Sequence, residues 1–177
     1  MILVAGIGNI FLGDDAFGVE VVHRLAQRPL PEGVRVVDFG IRGLDLVYTL
    51  LDDLDAVFLV DAMPRGGTAG TLYVLEPNDD AAGGPVSLEM HDMDPARVLR
   101  LVAALGGRVK NLVVVGCEPQ APAAGNGFAM EMSVPVRDAV DEAVKLIESL
   151  IMNRLTNEEG QIPVREVHKC HPWNPTT

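Results

Sequence analysis

Apolar and polar positions along this chain follow two alternating rhythms. Ile2 to Ile7 is a short unbroken apolar run, the pattern of a strand buried on both faces of a parallel sheet. Gly8, Asn9, Gly13, Asp14 and Asp15 then supply a turn. Val19, Val22, Leu25 and Ala26 recur at helical spacing, with Glu20, Arg24 and Gln27 off that stripe, and Pro29 and Pro31 end the helix. The cycle repeats. Val34 to Phe39 reads as a strand, and Leu44 to Leu51 as a short helix with Leu44, Val47, Leu50 and Leu51 turned inward. Ala56 to Ala62 reads as another buried strand. Thr71 to Leu75, after Gly66, Gly67 and Gly70, reads as an edge or antiparallel strand.

Residues 76–93 have loop composition. Asp94-Pro95 is a helix start, with Asp as N-cap and Pro at the first helical position, and that helix runs to about Leu105 before Gly106-Gly107. Asn111 to Gly116 is a further buried strand, and a Pro/Gly/Ala-rich loop covers 117–132. Ser133 caps a helix reaching about Met152, with Val136, Val140, Val144, Ile147 and Ile151 on one stripe. Strands alternating with amphipathic helices predict a three-layer α/β/α fold. Its mostly parallel twisted sheet has about five strands, one of them antiparallel or at an edge. The domain is expected to span residues 1–152. Residues 153–177 lack clear periodicity and hold three prolines, as expected of a tail that is partly disordered or docked on a surface. There are no internal repeats.

Composition narrows the function. The 177 residues carry 25 Asp+Glu against 14 Lys+Arg, a net charge of −11, which would repel nucleic acid and anionic membranes and leaves a basic partner or a bound cation open. The only cysteines, Cys117 and Cys170, lie far apart, so a disulfide scaffold is not expected and a reducing cytoplasm is. The N-terminal apolar run lacks the basic stretch of a signal peptide, and no segment approaches the roughly 18 apolar residues of a membrane span.

In open α/β sheets, ligands collect beyond the carboxyl ends of the strands. Asn9, Asp14 and Asp15 follow the first strand, Asp38 ends the second, Asp61 ends the third, and Cys117-Glu118 follow the fifth. The loop before the third helix adds Glu89, His91, Asp92 and Asp94. Asp14 or Asp15 taken alone is as readily a helix cap, Asp38 a turn cap, and His91 an ordinary loop residue. Asp61 is different, because a charge closing an apolar strand is costly without a partner. Together, two carboxylates and an imidazole suit a divalent transition metal. Other chemistries fit less well. Phe11 stands where a dinucleotide-binding G-x-G-x-x-G needs its third glycine, and no P-loop, G-x-S-x-G or H-E-x-x-H occurs. Cys117 reads as core rather than as a nucleophile paired with His91, and His168, Cys170 and His171 read as an adventitious chelator in the tail.

The opening ILVAGIGNIFLGDDAFGVEVVHRL closely resembles the N-terminus of the [NiFe]-hydrogenase maturation proteases. The pattern G-x-G-N-x-x-x-x-D-[DE]-x-x-G is met by Gly6, Gly8, Asn9, Asp14, Asp15 and Gly18. The similarity continues through VVDFGIRGLDLV, LVDAM, MHDMDPARVLRL and LVVVGCEP, roughly residues 1–150. The resemblance implies an aspartic-type or metal-dependent endopeptidase that removes the C-terminal peptide of a hydrogenase large-subunit precursor after nickel insertion. It implies that Asp15, Asp61 and His91 contact nickel carried by that substrate, in a site that zinc or cadmium also fits. Asp15 and Asp61, with Asp38 at a family acidic position, are the implied catalytic carboxylates. Some members have Glu where Asp15 stands, so the reach is one methylene shorter here. Asp92-Met93-Asp94-Pro95 departs from members with Gly or Gln after the histidine. A soluble, cytoplasmic monomer with no membrane insertion is expected. A non-cleaving, metal-sensing chaperone of the precursor and a nucleotide- or nucleoside-binding enzyme on a similar sheet are the alternatives.

Overall fold

The computed structural model describes residues 1–76, 95–121 and 130–156. Five strands, β1 (Ile2–Ile7), β2 (Val34–Gly40), β3 (Ala56–Ala62), β4 (Leu72–Leu75) and β5 (Leu112–Cys117), form one sheet in the order β2-β1-β3-β5-β4. The first three and β5 run parallel, and β4 pairs antiparallel with β5 at the edge. The expected α/β architecture with one antiparallel edge strand is therefore present. Helices α1 (Phe17–Leu25) and α4 (Val134–Thr156) cover one face, and α2 (Gly43–Leu50) and α3 (Pro95–Ala104) the other.

Each strand sorts its side chains by alternation. In β3, Phe58 and Val60 join the α1/α4 core, whereas Val57 and Leu59 join the α2/α3 core. Phe17 and Phe58 are fully buried on the first face, each contributing roughly 1.5–3 kcal/mol of transfer free energy. The expected α4 stripe of Val136, Val140, Val144, Ile147 and Ile151 is buried there too, widened by Ala139, Ala143 and Leu150.

Three local readings change. In α2 the buried residues are Leu46, Val47 and Leu50, while Leu44 (54% exposed) and Leu51 face outward. Five apolar residues in eight positions leave the periodicity undecided, and the sheet selects the Leu46 face. The last helix continues past Met152 to Thr156, whose hydroxyl donates to the Met152 carbonyl (2.9 Å). Ser133 precedes that helix as expected, but its hydroxyl is turned to Asp14 (2.9 Å). Pro95 opens α3, and the helix stops where Gly106 adopts φ +81° and Gly107 N–H closes onto the Val102 carbonyl. The expected Asp94 cap, the 77–94 stretch of the loop and the tail from 157 lie outside the described residues.

Candidate active site

A crevice opens beyond a parallel sheet where two neighbouring strands send their connections in opposite directions. Here those strands are β1 and β3. The first leads through α1 to β2 on one side, and β3 leads on to β4 and β5 on the other. Asp15 lies just beyond β1, in a 3-10 turn (Gly13–Ala16), and Asp61 is the penultimate residue of β3.

The β1–α1 turn is shaped by side chains that are missing. A Cβ at Gly6 would stand 2.4 Å from the Gly18 carbonyl oxygen, and one at Gly18 would stand 2.1 Å from that of Val60 and 2.3 Å from that of Ile7. At Gly8, with φ +131°, it would meet the Asp15 carbonyl oxygen at 1.8 Å. These glycines let the start of α1 press against β1 and β3. Asn9 closes the turn. Its N–H donates to Asp15 Oδ2 (2.6 Å), and its side-chain oxygen accepts the Phe11 N–H (3.0 Å). The Asp15 carboxylate is thus oriented by main chain six residues away.

The neighbouring carboxylates have other tasks. Asp14 accepts the N–H groups of Gln120 (2.8 Å) and Ser133 (2.6 Å) besides the Ser133 hydroxyl, so it ties the turn to both ends of the β5–α4 connection. Asp38 faces His23 Nε2 (2.9 Å). Val37 and Phe39 join the α2/α3 core, so Asp38 between them points to the α1 face. Asp61 continues the Val57–Leu59 alternation and so projects on the α2/α3 face, where it is 7% exposed. The structure therefore puts Asp61 and Asp38 on opposite faces of the sheet. The face with Asp61 is the one α3 covers, and His91 precedes α3 by four residues of sequence. His91, Glu89, Asp92 and Asp94 lie outside the described residues, as do His168, Cys170 and His171. Among the described residues, no three His, Cys, Asp or Glu side chains converge closely enough to hold a metal.

Two rim residues serve the fold: Cys117 is core, as read from the sequence, and Glu118 orders a loop. The Cys117 thiol is fully buried and pushed up to about 12, by burial first and then by the charges of Asp14 and Glu118, so it stays protonated and is core. Glu118, 5% exposed, organises the loop after β3. It accepts the N–H groups of Arg65 (2.9 and 3.1 Å) and Gly66 (3.1 Å) and the Tyr73 hydroxyl (2.6 Å). Burial raises its pKa, but the Tyr73 hydroxyl and the N–H groups of Arg65, Gly67 and Gly66 outweigh it and hold the carboxyl below its ordinary value. No local sequence signal links Glu118 to a loop 53 residues away, nor His23 to Asp38.

The family model for HycI, hydrogenase maturation protease, matches residues 19–150. This chain belongs to the hydrogenase maturation protease family. The hydrogenase expression/formation protein HupM of Azotobacter chroococcum is 31% identical over 155 residues, which cover 86% of this chain and 72% of that protein. Among solved structures, the hydrogenase maturating endopeptidase HybD of Escherichia coli superposes with a TM-score of 0.68 at 27% identity, covering 88% of this chain and 93% of HybD. The [NiFe] hydrogenase maturation protease HycI of Thermococcus kodakarensis gives 0.60 at 25% identity, over 86% and 92% of the two chains. The resemblance read from the N-terminal motif is thereby borne out, and as a maturation protease the chain is a peptidase. No helix among the described residues is long and apolar enough to cross a membrane.

Proposed function

We propose that this protease removes the C-terminal peptide of a [NiFe]-hydrogenase large-subunit precursor, and that it reads nickel already seated in that precursor through Asp15, Asp61 and His91. The observation that carries the reading is Asp61, a nearly buried carboxylate at the β1/β3 crevice, in a chain of this family. Two features support it. The glycine-shaped turn brings Asp15 to the same crevice, and α3, which follows His91, packs on the face to which Asp61 projects. Zinc or cadmium would suit the same oxygen and nitrogen donors.

Hydrolysis adds water to the scissile carbonyl carbon, breaks the C–N bond and delivers a proton to the leaving amine. On this reading Asp15 or Asp61 accepts the water's proton. Asp38, across the sheet and paired with His23, belongs to the flank of this arrangement. The reaction is assigned to the cytoplasm, with one copy of the chain sufficient for it.

The deciding experiment is incubation with nickel-loaded and nickel-free precursor, followed by mass spectrometry. Cleavage of the loaded form alone is expected, and it should disappear in Asp15→Asn, Asp61→Asn and His91→Ala. Cleavage that ignores nickel would overturn the recognition role. A stable complex with no loss of mass would make the protein a chaperone of the precursor instead.

A further inference from the structure

The β3–β4 loop is fixed at three places. At its start, Met63 N–H donates to the Cys117 carbonyl (2.8 Å). Its middle is held by the Glu118 carboxylate through Arg65 and Gly66. At its end, Gly70 N–H donates to the Glu118 carbonyl (2.8 Å) and Glu118 N–H to the Thr71 carbonyl (2.9 Å). Gly67 has no room for a side chain, since a Cβ would lie 2.2 Å from the Tyr73 hydroxyl.

This scaffold aims one side chain. The Arg65 guanidinium lies over the Tyr73 ring, 5.8 Å from its centroid, with Nη1 3.9 Å from the Met63 sulfur. The Glu118 carboxylate, which holds the Arg65 main chain, is occupied by N–H groups and the tyrosine hydroxyl. Arg24, Arg28, Arg42 and Lys110 each face a carboxylate, whereas among the described residues none pairs with the Arg65 guanidinium. In a chain of net charge −11, a half-buried arginine that lies over an aromatic ring and pairs with no acid among the described residues is a preorganised anion receptor.

The sheet register places it. Gly116 of β5 pairs with Asp61 on one side and with Tyr73 on the other, so the three form one cross-strand row. Partners in such a row share a face, and Leu75, two residues after Tyr73, joins the same α2/α3 core as Leu59, two residues before Asp61. Asp61 and Tyr73 are therefore two strand spacings apart, roughly 10 Å, with glycine between them. That span equals about three residues of extended peptide.

We propose that Arg65 determines specificity by binding a carboxylate of the substrate chain about three residues from the scissile bond. The proposal rests on cleavage at the Asp61 crevice. The carboxylate is supplied either by an acidic side chain or by the free C-terminus of a short leaving peptide.

The test compares wild type, Arg65→Gln and Arg65→Lys on nickel-loaded precursor. The precursor is used in native form and with each acidic residue within about four positions of the cut changed to its amide. A shortened precursor ending about three residues past the cut is supplied with a free or an amidated terminus. Arg65→Gln should lower kcat/KM roughly tenfold on the native precursor, through KM, and cause no further loss on the precursor whose acid has been neutralised. Arg65→Lys should recover part of the loss. Sensitivity to a side-chain amide identifies one source of the carboxylate, and sensitivity to terminal amidation the other. Equal losses on native and neutralised precursors, or none on either, would overturn the proposal. Calorimetric binding of synthetic peptides spanning the cut reads the same contrast without turnover. A wild type that binds with this charge dependence but does not cut would refute the proposed cleavage and leave the role of Arg65 standing. Unchanged thermal midpoints of the variants exclude a folding defect.

Discussion

The two loops flanking the crevice are both rigid, by opposite means. The β1–α1 turn is held by absences, because Gly6, Gly8 and Gly18 let main chain approach main chain where any Cβ would collide. The β3–β4 loop is held by a presence, the Glu118 carboxylate that gathers main-chain N–H groups and a tyrosine hydroxyl. The first device presents an acid, Asp15, and the second a base, Arg65. A steric lock fails abruptly when one atom is added. A hydrogen-bonded lock responds to pH and can be loosened in steps.

That difference can be broken experimentally. Gly8→Ala should have the largest effect, because it meets both an unfavourable φ and a carbonyl oxygen at 1.8 Å. A loss of about 3 kcal/mol or more in urea unfolding is expected. A variant as stable as wild type would show that the turn relaxes and is not sterically locked. Glu118→Ala should follow at roughly 2–3 kcal/mol, since it removes the acceptor of the part-buried Arg65 and Gly66 N–H groups and of the buried Tyr73 hydroxyl. Hydrogen exchange should rise at Arg65 and Gly66 and stay unchanged at Asn9; exchange rising equally in both loops would mean that they are one unit. Asp14→Ala, which removes three contacts, should cost about 1–2 kcal/mol. Its loss should show as faster exchange at Gln120 and Ser133.

The smallest effect is a slope. The Glu118 carboxyl is held below its ordinary 4.5 in the folded chain, so its contribution is complete above that pH and is lost as pH falls through the folded value. Stability should therefore decline more steeply with acid in wild type than in Glu118→Gln. Parallel profiles would mean that the charge of Glu118 adds nothing.

The same two loops show what the sequence discloses. The glycines, Asn9 and both aspartates of the first turn fall within thirteen consecutive residues, so their pattern is local and readable, and the strands around them are plain apolar runs. The second loop depends on a contact across 53 residues, and Arg65 looks like any arginine in a turn until the fold stacks it on Tyr73. Asp14 and Asp15 are indistinguishable by spacing. Only the structure shows that one holds the chain together while the other is turned toward Asn9. Asp38 shares the strand-end position of Asp61, but parity along its strand sends it to the other face. Helix α2 hides its inner face from the pattern because apolar residues nearly encircle it, and α4 runs past its apolar stripe to Thr156, whose hydroxyl donates to the Met152 carbonyl.

The Asp14 carboxylate has an implication for protein engineering. It fastens Gln120 and Ser133, thirteen positions apart, to a single point beside the first turn. Strand β5 and helix α4 therefore meet a fixed anchor whatever residues are strung between those two attachments. Lengthening such a closed segment is cheap, about 0.6 kcal/mol for each doubling. For chain-length engineering, Gln120 and Ser133 are thus two ends whose spacing the Asp14 carboxylate sets.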